Sequence, residues 1–485
     1  MVVHGEEYWL VRFLFRRGLA VVYLVGFLVA ADQFRPLAGE DGLLPIERYV
    51  GHGEFRRRPS LFYFAPDDRT IGAAAWLGVG LAALALLGVP SRLGTVPAVA
   101  VWGVMWLLYL SFVNAGQTFY GFGWESMLLE TGFLAIFLGG QGVAPPDVVI
   151  WLLRWVLFRN MLGAGLIKIR GDECWRDLTC LDDHYETQPM PNPVSWYVHH
   201  LPDWAHRGAV VVNHVVELIV PFLYFAPQPF AALAGVATIL FQAWLMLTGN
   251  FSWLNFLTVA LAVSTFSDRV FAVVAPVAAP AVAATPFALL VAAWVLAAVV
   301  LALSVQPVRN MLSENQAMNA GYDPLHLVNT YGAFGSITKT RYEIVVQGTR
   351  DETITEDTEW ETYTFEGKPT DPERRPPQVA PHHLRLDWQL WFAAMAPAPY
   401  RHPWFQRLLE KLLEDDEATL GLLRTNPFPE EPPEHVRALR YRYRFTTPEE
   451  RAETGRWWER ERVGTYVDAV SLNDSRAGER RSARR

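Results

Sequence analysis

Up to about Gln306 the chain carries long apolar runs, and beyond that point hydrophobic and polar residues alternate. Crossing a bilayer takes about 20 largely apolar residues, because a helix rises about 1.5 Å per residue across a core roughly 30 Å thick. Runs of this kind occupy Gly18–Ala31, Ile71–Val89, Gly94–Val113, Trp124–Gly140, Val148–Ile169, Gly208–Phe225, Phe230–Thr248, Phe251–Phe266 and Phe287–Val305. They predict a polytopic α-helical membrane domain of about nine spans over residues 1–306. Ala30-Ala31-Asp32 resembles a signal-peptide cleavage site, but more runs follow, so the first run is read as a span. Ser267–Pro286, with Asp268, Arg269 and several prolines, reads as a re-entrant or interfacial segment.

Past Gln306 the period becomes two. Tyr342, Ile344 and Val346 alternate with polar residues, as do Leu439, Tyr441, Tyr443 and Phe445 with arginines, which predicts half-buried antiparallel strands. Trp360–Phe365 and Leu386–Phe392 read as two more strands. Trp404–Leu413 has helical spacing in Phe405, Leu408, Leu409 and Leu412. Pro369–Pro381 and Pro427–Pro433 read as loops. The fold class expected is therefore the helical membrane domain followed by a mainly β extracytoplasmic domain over 307–470, with a disordered basic tail at 471–485.

Arg12, Arg16 and Arg17 favour a cytoplasmic N-terminus. Nine spans then place the structured loop 170–207 and the C-terminal domain together outside the cytoplasm. Arg56-Arg57-Arg58 counts against this orientation, and the assignment inverts if the cation-bearing run Val148–Ile169 does not span.

Charge and composition narrow the chemistry. A net charge of −8 without a basic stripe excludes a nucleic-acid partner; the lipid bilayer is the partner that the apolar runs require. No Gly-rich phosphate loop, G-x-S-x-G elbow or H-E-x-x-H helix occurs, so no cofactor and no catalytic residue is assigned. Polar groups within a bilayer cost several kcal/mol unless paired or facing a wet cavity. Glu125 and Glu130 in the fourth run, Arg159 and Lys168 in the fifth, and His214 and Glu217 in the sixth form an expected intramembrane polar cluster, for instance with Glu130 or Glu217 paired to Arg159. His184, His199, His200, His206 and His214 invite a metal reading, but their spacing matches no ligand pattern and no metal is expected. If the loop lies outside, Cys174 and Cys180 could close a ring worth about 2 kcal/mol, the alternative being two free thiols.

Several stretches carry a family resemblance. Gly116–Ser126, the loop Gly171–Asn192, Leu247–Asn255 and Leu327–Gly335 with the strand Arg341–Gly348 resemble the lipase maturation factor family over roughly residues 10–470. The resemblance implies a role in assembling secreted lipases into active dimers, in the endoplasmic reticulum membrane in animals, with loop and C-terminal domain facing the lumen. That compartment would allow a disulfide to persist. The richness in Ala, Val and Arg is that of many bacterial proteins, in which the plasma membrane would be the host. More distantly, the membrane part is similar to that of vitamin K-dependent gamma-carboxylase, though no residue here matches its active site. The reading is a membrane-anchored, chaperone-like maturation factor for a secreted client, a lipase among them. Trp175, Arg176, Asp177, His184, Tyr185 and Glu186 are its expected client-binding residues. The rival is an integral membrane enzyme built on a gamma-carboxylase-like cavity with Lys168, His214, Glu217 or Glu130.

Overall fold

In a computed structural model, residues 5–274, 279–396 and 399–473 are described. The basic tail beyond residue 473 and part of Ser267–Pro286 lie outside the described residues. The apolar runs form α1 (Trp9–Ala38), α2 (Asp68–Leu87), α3 (Thr95–Ala115), α4 (Gly123–Ile136), α5 (Asp147–Arg170), α6 (Asp203–Leu218), α7 (Phe230–Thr248), α8 (Leu254–Ala262) and α9 (Phe287–Leu303). Among the described residues seven helices are long and apolar enough to cross a membrane; α4 has 14 residues and α8 has 9, short of that length. Ser267–Pro286 contributes the short helix Asp268–Val274.

Each of the two short helices starts against the C-terminal half of the chain and ends beside α1 and α5. Trp124 at the start of α4 and Trp253 just before α8 both pack on His383 of the C-terminal half. Their far ends meet residues at the start of α1 and α5. Arg16 donates to the carbonyls of Ala135, at 2.8 Å, and Gly139, while Arg12 donates to Leu138, Gln141 and Val143. Arg154 donates to Ser264, after α8, at 2.7 Å and to Tyr224, after α6, at 3.1 Å. A helix that stops inside an apolar layer leaves carbonyls that water cannot reach, and a guanidinium with several donors satisfies them while complementing the helix dipole. Asp268 does the reciprocal work at the start of α1, accepting from the amides of Trp9 at 2.7 Å and Leu10 at 2.9 Å. Arg12 and Arg16 are thus buried within α1, and the helix begins before the apolar run that predicted it.

Beyond Leu312 the chain folds as a cap on the opposite face. Its main sheet is antiparallel in the order β2-β1-β5-β6, with β1 at Arg341–Thr349, β2 at Glu361–Thr362, β5 at His435–Phe445 and β6 at Trp458–Val470. β3 (Thr364–Phe365) pairs with β4 (Leu423–Thr425) in a second small sheet. The expected strands around Tyr342–Val346, Trp360–Phe365 and Leu439–Phe445 are present. Leu386–Phe392 is not a strand: it lies in α10 (Arg385–Met395), which buries Leu386, Leu390, Ala393 and Ala394, a helical spacing that the alternation of Leu386, Trp388 and Leu390 disguises. α11 (Pro403–Leu413) buries Phe405, Leu408, Leu409 and Leu412, the four residues whose spacing predicted it. One continuous apolar core runs from the bundle into the cap, joining Trp253 and Met127 to Trp388, Phe405 and Ile344.

Candidate functional site

The buried charges expected from the sequence in the fourth to sixth runs resolve into three clusters. In the first, Glu130 of α4 is ion-paired with Arg159 of α5, both about 1% exposed. The second carboxylate oxygen of Glu130 accepts from Arg159 Nη1 at 3.4 Å and also from the Asn329 amide at 3.0 Å, its side chain at 3.1 Å and the Tyr331 hydroxyl at 2.6 Å. In the second, Glu125 accepts from Tyr109 and pairs at 2.8 Å with Arg385, whose guanidinium lies 3.4 Å from the centre of the Tyr120 ring. His383 beside it sits among Phe122, Trp124, Trp253 and Trp388, and burial together with Arg385 holds its imidazole well below the usual histidine range. Both clusters are completed by residues that follow Leu312, so each fastens the cap to the bundle.

The third cluster draws nothing from the cap. Lys168 of α5 donates to Glu217 at 2.6 Å and Asn213 at 3.0 Å on α6, and Asn213 donates to the second Glu217 oxygen at 3.0 Å. Arg159 therefore pairs with Glu130, and Glu217 belongs to Lys168. His214, one turn from Glu217, turns instead to the Trp175 carbonyl at 3.0 Å.

Above this cluster lies the loop that follows α5. Cys174 and Cys180 are joined in a disulfide, closing a ring around Trp175. The Trp175 indole covers Lys168, with 5.1 Å from Nζ to the ring centre, and donates to the Phe334 carbonyl at 2.9 Å. Tyr185 and His184 are buried, and Glu186 accepts from the Phe445 amide at 2.6 Å. Burial pushes the Glu186 carboxyl up to about 7 and the His184 imidazole down to about 4. Of the six residues expected to hold a client, only Arg176 and Asp177 point outward. The other four build the loop's own support.

Arg341 and Asn250, to which the sequence assigned no role, hold the loop in place. Arg341 on β1, 1% exposed, donates to the carbonyls of Glu186 at 2.9 Å, Gln188 at 2.5 Å and Pro189 at 3.2 Å, and its charge is matched by Glu343. Lys368 binds the other Glu343 oxygen at 2.7 Å, and burial brings that ammonium down to about 8. Asn250 donates to Pro191 and Pro377 and accepts from Val379 and Ala380, tying loop, bundle and cap at one amide. Asn250 and Asn329 stand in the stretches Leu247–Asn255 and Leu327–Gly335, whose polar and aromatic density was the available signal. Arg341 opens the strand Arg341–Gly348 that carries the same resemblance, and Arg385 had no signal beyond being charged.

Between these anchors lie two adjoining spaces. An apolar cleft of about 350 Å³ is walled by Phe122, Trp124, Phe251, Phe334, Trp388 and Trp391, with Met318, Phe392 and Met395 exposed at its rim. Beneath it, a chamber of about 80 Å³ is lined by Lys168, Asn213, Glu217, Gln242 and Asn255. His184, Asn160 and Phe251 border both. Among the described residues no three His, Cys, Asp or Glu side chains converge as a metal site would need. What the arrangement supplies is a fixed apolar recess beside a satisfied polar pair, suited to binding.

Comparison with known proteins places the chain. The lipase maturation factor transmembrane domain matches over residues 10–273 and the lipase maturation factor C-terminal domain over 327–468. Human lipase maturation factor 1 is 44% identical, with 98% of this chain and 90% of the human protein covered. Bovine lipase maturation factor 1 is 41% identical, over 98% and 91% of the two chains. Rat lipase maturation factor 2 is 30% identical, over 95% and 83%. No solved structure matches. With both halves matched in order and nearly the whole length covered, the chain belongs to the lipase maturation factor family.

Proposed function

We propose that this protein is a membrane-resident maturation factor which holds folding or assembly intermediates of a secreted client, a lipase by the name its relatives carry, at the non-cytoplasmic face of the membrane. The observation that carries the mechanism is the apolar cleft rimmed by Met318, Phe392 and Met395, with exposures of 48%, 37% and 37%. A folding intermediate exposes apolar side chains, and a rigid aromatic recess with a flexible Met rim accepts such side chains without covalent chemistry.

The topology that serves this function has all nine segments crossing, α4 and α8 included. An odd number of crossings puts the N-terminus and the cap on opposite sides. The loop after α5 then shares the cap's side, in keeping with the Trp196 indole donating to the Thr446 carbonyl at 2.9 Å. Arg92 lies near Arg17 of α1, and Arg269 pairs with Glu7 at the start of the chain, which favours that face as cytoplasmic, and the Cys174–Cys180 disulfide suits an oxidising compartment for the other. The membrane would be the endoplasmic reticulum in an animal host and the plasma membrane in a prokaryote.

The test is co-expression with a secreted lipase. Phe392→Asp combined with Met395→Asp should lower active lipase per lipase polypeptide several-fold while the factor itself accumulates normally in membranes. Unchanged lipase activity would remove the cleft from the mechanism.

A further inference from the structure

The chamber beneath the cleft lies deeper than a client at the rim would reach, and its lining has a chemistry of its own. Lys168, Asn213, Glu217, Gln242 and Asn255 all come from the membrane helices α5 to α8 and all are buried. The Lys168–Glu217 pair, at 2.6 Å, already neutralises itself, so a charged group entering would find no counter-ion to spare. Hydrogen-bonding capacity, in contrast, is left over. Gln242 Nε2 finds only the Met161 sulfur, at 3.6 Å. Asn255 uses its amide nitrogen on Gln242 and Asn160 its own on Thr258, leaving both side-chain carbonyl oxygens without a donor among the described residues. His184, 8% exposed and bordering the chamber, makes no side-chain hydrogen bond through either ring nitrogen among the described residues. Buried polar groups are ordinarily satisfied, and so many unused ones around one small space point to an occupant that bonds to them.

The wall also indicates where an occupant enters. Its exposed member is Trp244 on α7, 38% exposed, with Ala209 on α6 and Leu245 on α7 half-buried beside it. These border the gap between α6 and α7, whose outward residues Val212 and Leu240 are exposed and apolar, the surface a bilayer covers. We propose that the chamber binds the headgroup of an uncharged, hydroxyl-bearing membrane lipid of the acylglycerol class, whose chain leaves between α6 and α7 into the bilayer. Hydroxyls both donate and accept, matching Asn160, Asn255 and His184 on one side and Gln242 on the other. A volume of about 80 Å³ admits a group of glycerol size and not a phosphocholine. The chamber shares Asn160 and His184 with the wall of the cleft, but the inference does not rest on client binding there.

The experiment uses the purified full-length protein in phosphatidylcholine nanodiscs. A photoreactive diacylglycerol carrying a diazirine close to its glycerol is crosslinked, and adducts are mapped by mass spectrometry. Matched phosphatidylcholine and free fatty-acid probes run in parallel. The site predicts adducts within residues 160–168, 209–217 and 242–258, reduced at least tenfold by excess unlabelled acylglycerol and at least tenfold weaker with the other two probes. Ala209→Trp, which fills the gap from outside, should abolish them. Adducts confined to outward residues such as Phe222 and Trp294, or equal labelling by all three probes, would overturn the proposal. Should Ala209→Trp fail to fold, competition on the unmodified protein decides alone: adducts undiminished by unlabelled acylglycerol refute the site.

Discussion

Replacing Arg341 tests how the loop is held. Its guanidinium is buried on β1 and donates to three carbonyls within four residues of the loop, those of Glu186, Gln188 and Pro189, while pairing with Glu343. Arg341→Met keeps the bulk and removes every donor. Glu343 retains Lys368 at 2.7 Å, so the carboxylate is not stranded, but the loop carbonyls lose their partners. Breaking a buried charged contact of this kind costs about 3–5 kcal/mol, less than the sum of the separate bonds because they act together. A loss of about 3 kcal/mol in the docking of the loop raises its open population on the order of 100-fold. Between residues 171 and 194 trypsin has one site, Arg176, inside the ring closed by Cys174 and Cys180. Cleavage there should therefore accelerate about 100-fold in Arg341→Met, with the fragments separating only after reduction. Arg341→Lys, which preserves charge but not the fork of donors, should fall between. A cleavage rate in Arg341→Met within twofold of the parent would refute the clamp.

Other outcomes follow from the same geometry. Glu130→Leu strands Arg159 in the bundle and should cost about 3–5 kcal/mol in a denaturant titration, part of which Glu130→Leu with Arg159→Leu restores; Tyr331→Phe, losing one hydrogen bond to Glu130, should cost about 1–2 kcal/mol. Gly171→Ala, just after α5, drives a Cβ into the Gly335 carbonyl, and Gly163→Ala, within α5 where alanine usually helps, drives one into that of Tyr331, so each should destabilise by about 1–3 kcal/mol. His184 and His199, both held down to about 4, stay neutral in the fold and protonate readily once it opens, so their contribution is present above pH 6.5 and lost as pH falls toward 4. Glu186, raised to about 7, acts oppositely: its contribution is present below pH 4.5 and lost as pH rises through 7. Between pH 7 and pH 5 each imidazole costs about 2 kcal/mol, so acidification over that range should lower the thermal midpoint less in His184→Gln with His199→Gln than in the parent, and an equal loss in both would refute the assignment.

The membrane helices were legible because the demand for about 20 apolar residues is local. Their ends were not. Arg12 and Arg16 read as flanking charge, but the carbonyls they bind lie at and just beyond the end of α4, and nothing near them in sequence announces that α4 stops early. Glu125 was marked as costly where it sits, while its partner Arg385 immediately precedes a segment, Leu386–Phe392, that alternation assigned to a strand. α11 was legible for the opposite reason: its apolar residues repeat at helical spacing and all face one core. The loop stood out for its density of polar and aromatic residues. That density turned out to be the loop's own scaffolding, with Trp175, Tyr185 and Glu186 facing inward, and the accessible apolar surface lies on Met318, Phe392 and Met395 instead.

The most direct test of client engagement places a photocrosslinking amino acid at position 392 in the cleft rim, with position 463 on the exposed strand β6 as the control. Irradiation of cells co-expressing a secreted lipase should yield a covalent adduct between newly made lipase and the factor from position 392 and not from 463. Equal adducts from both positions, or none from 392 while the lipase still depends on the factor for activity, would contradict the account.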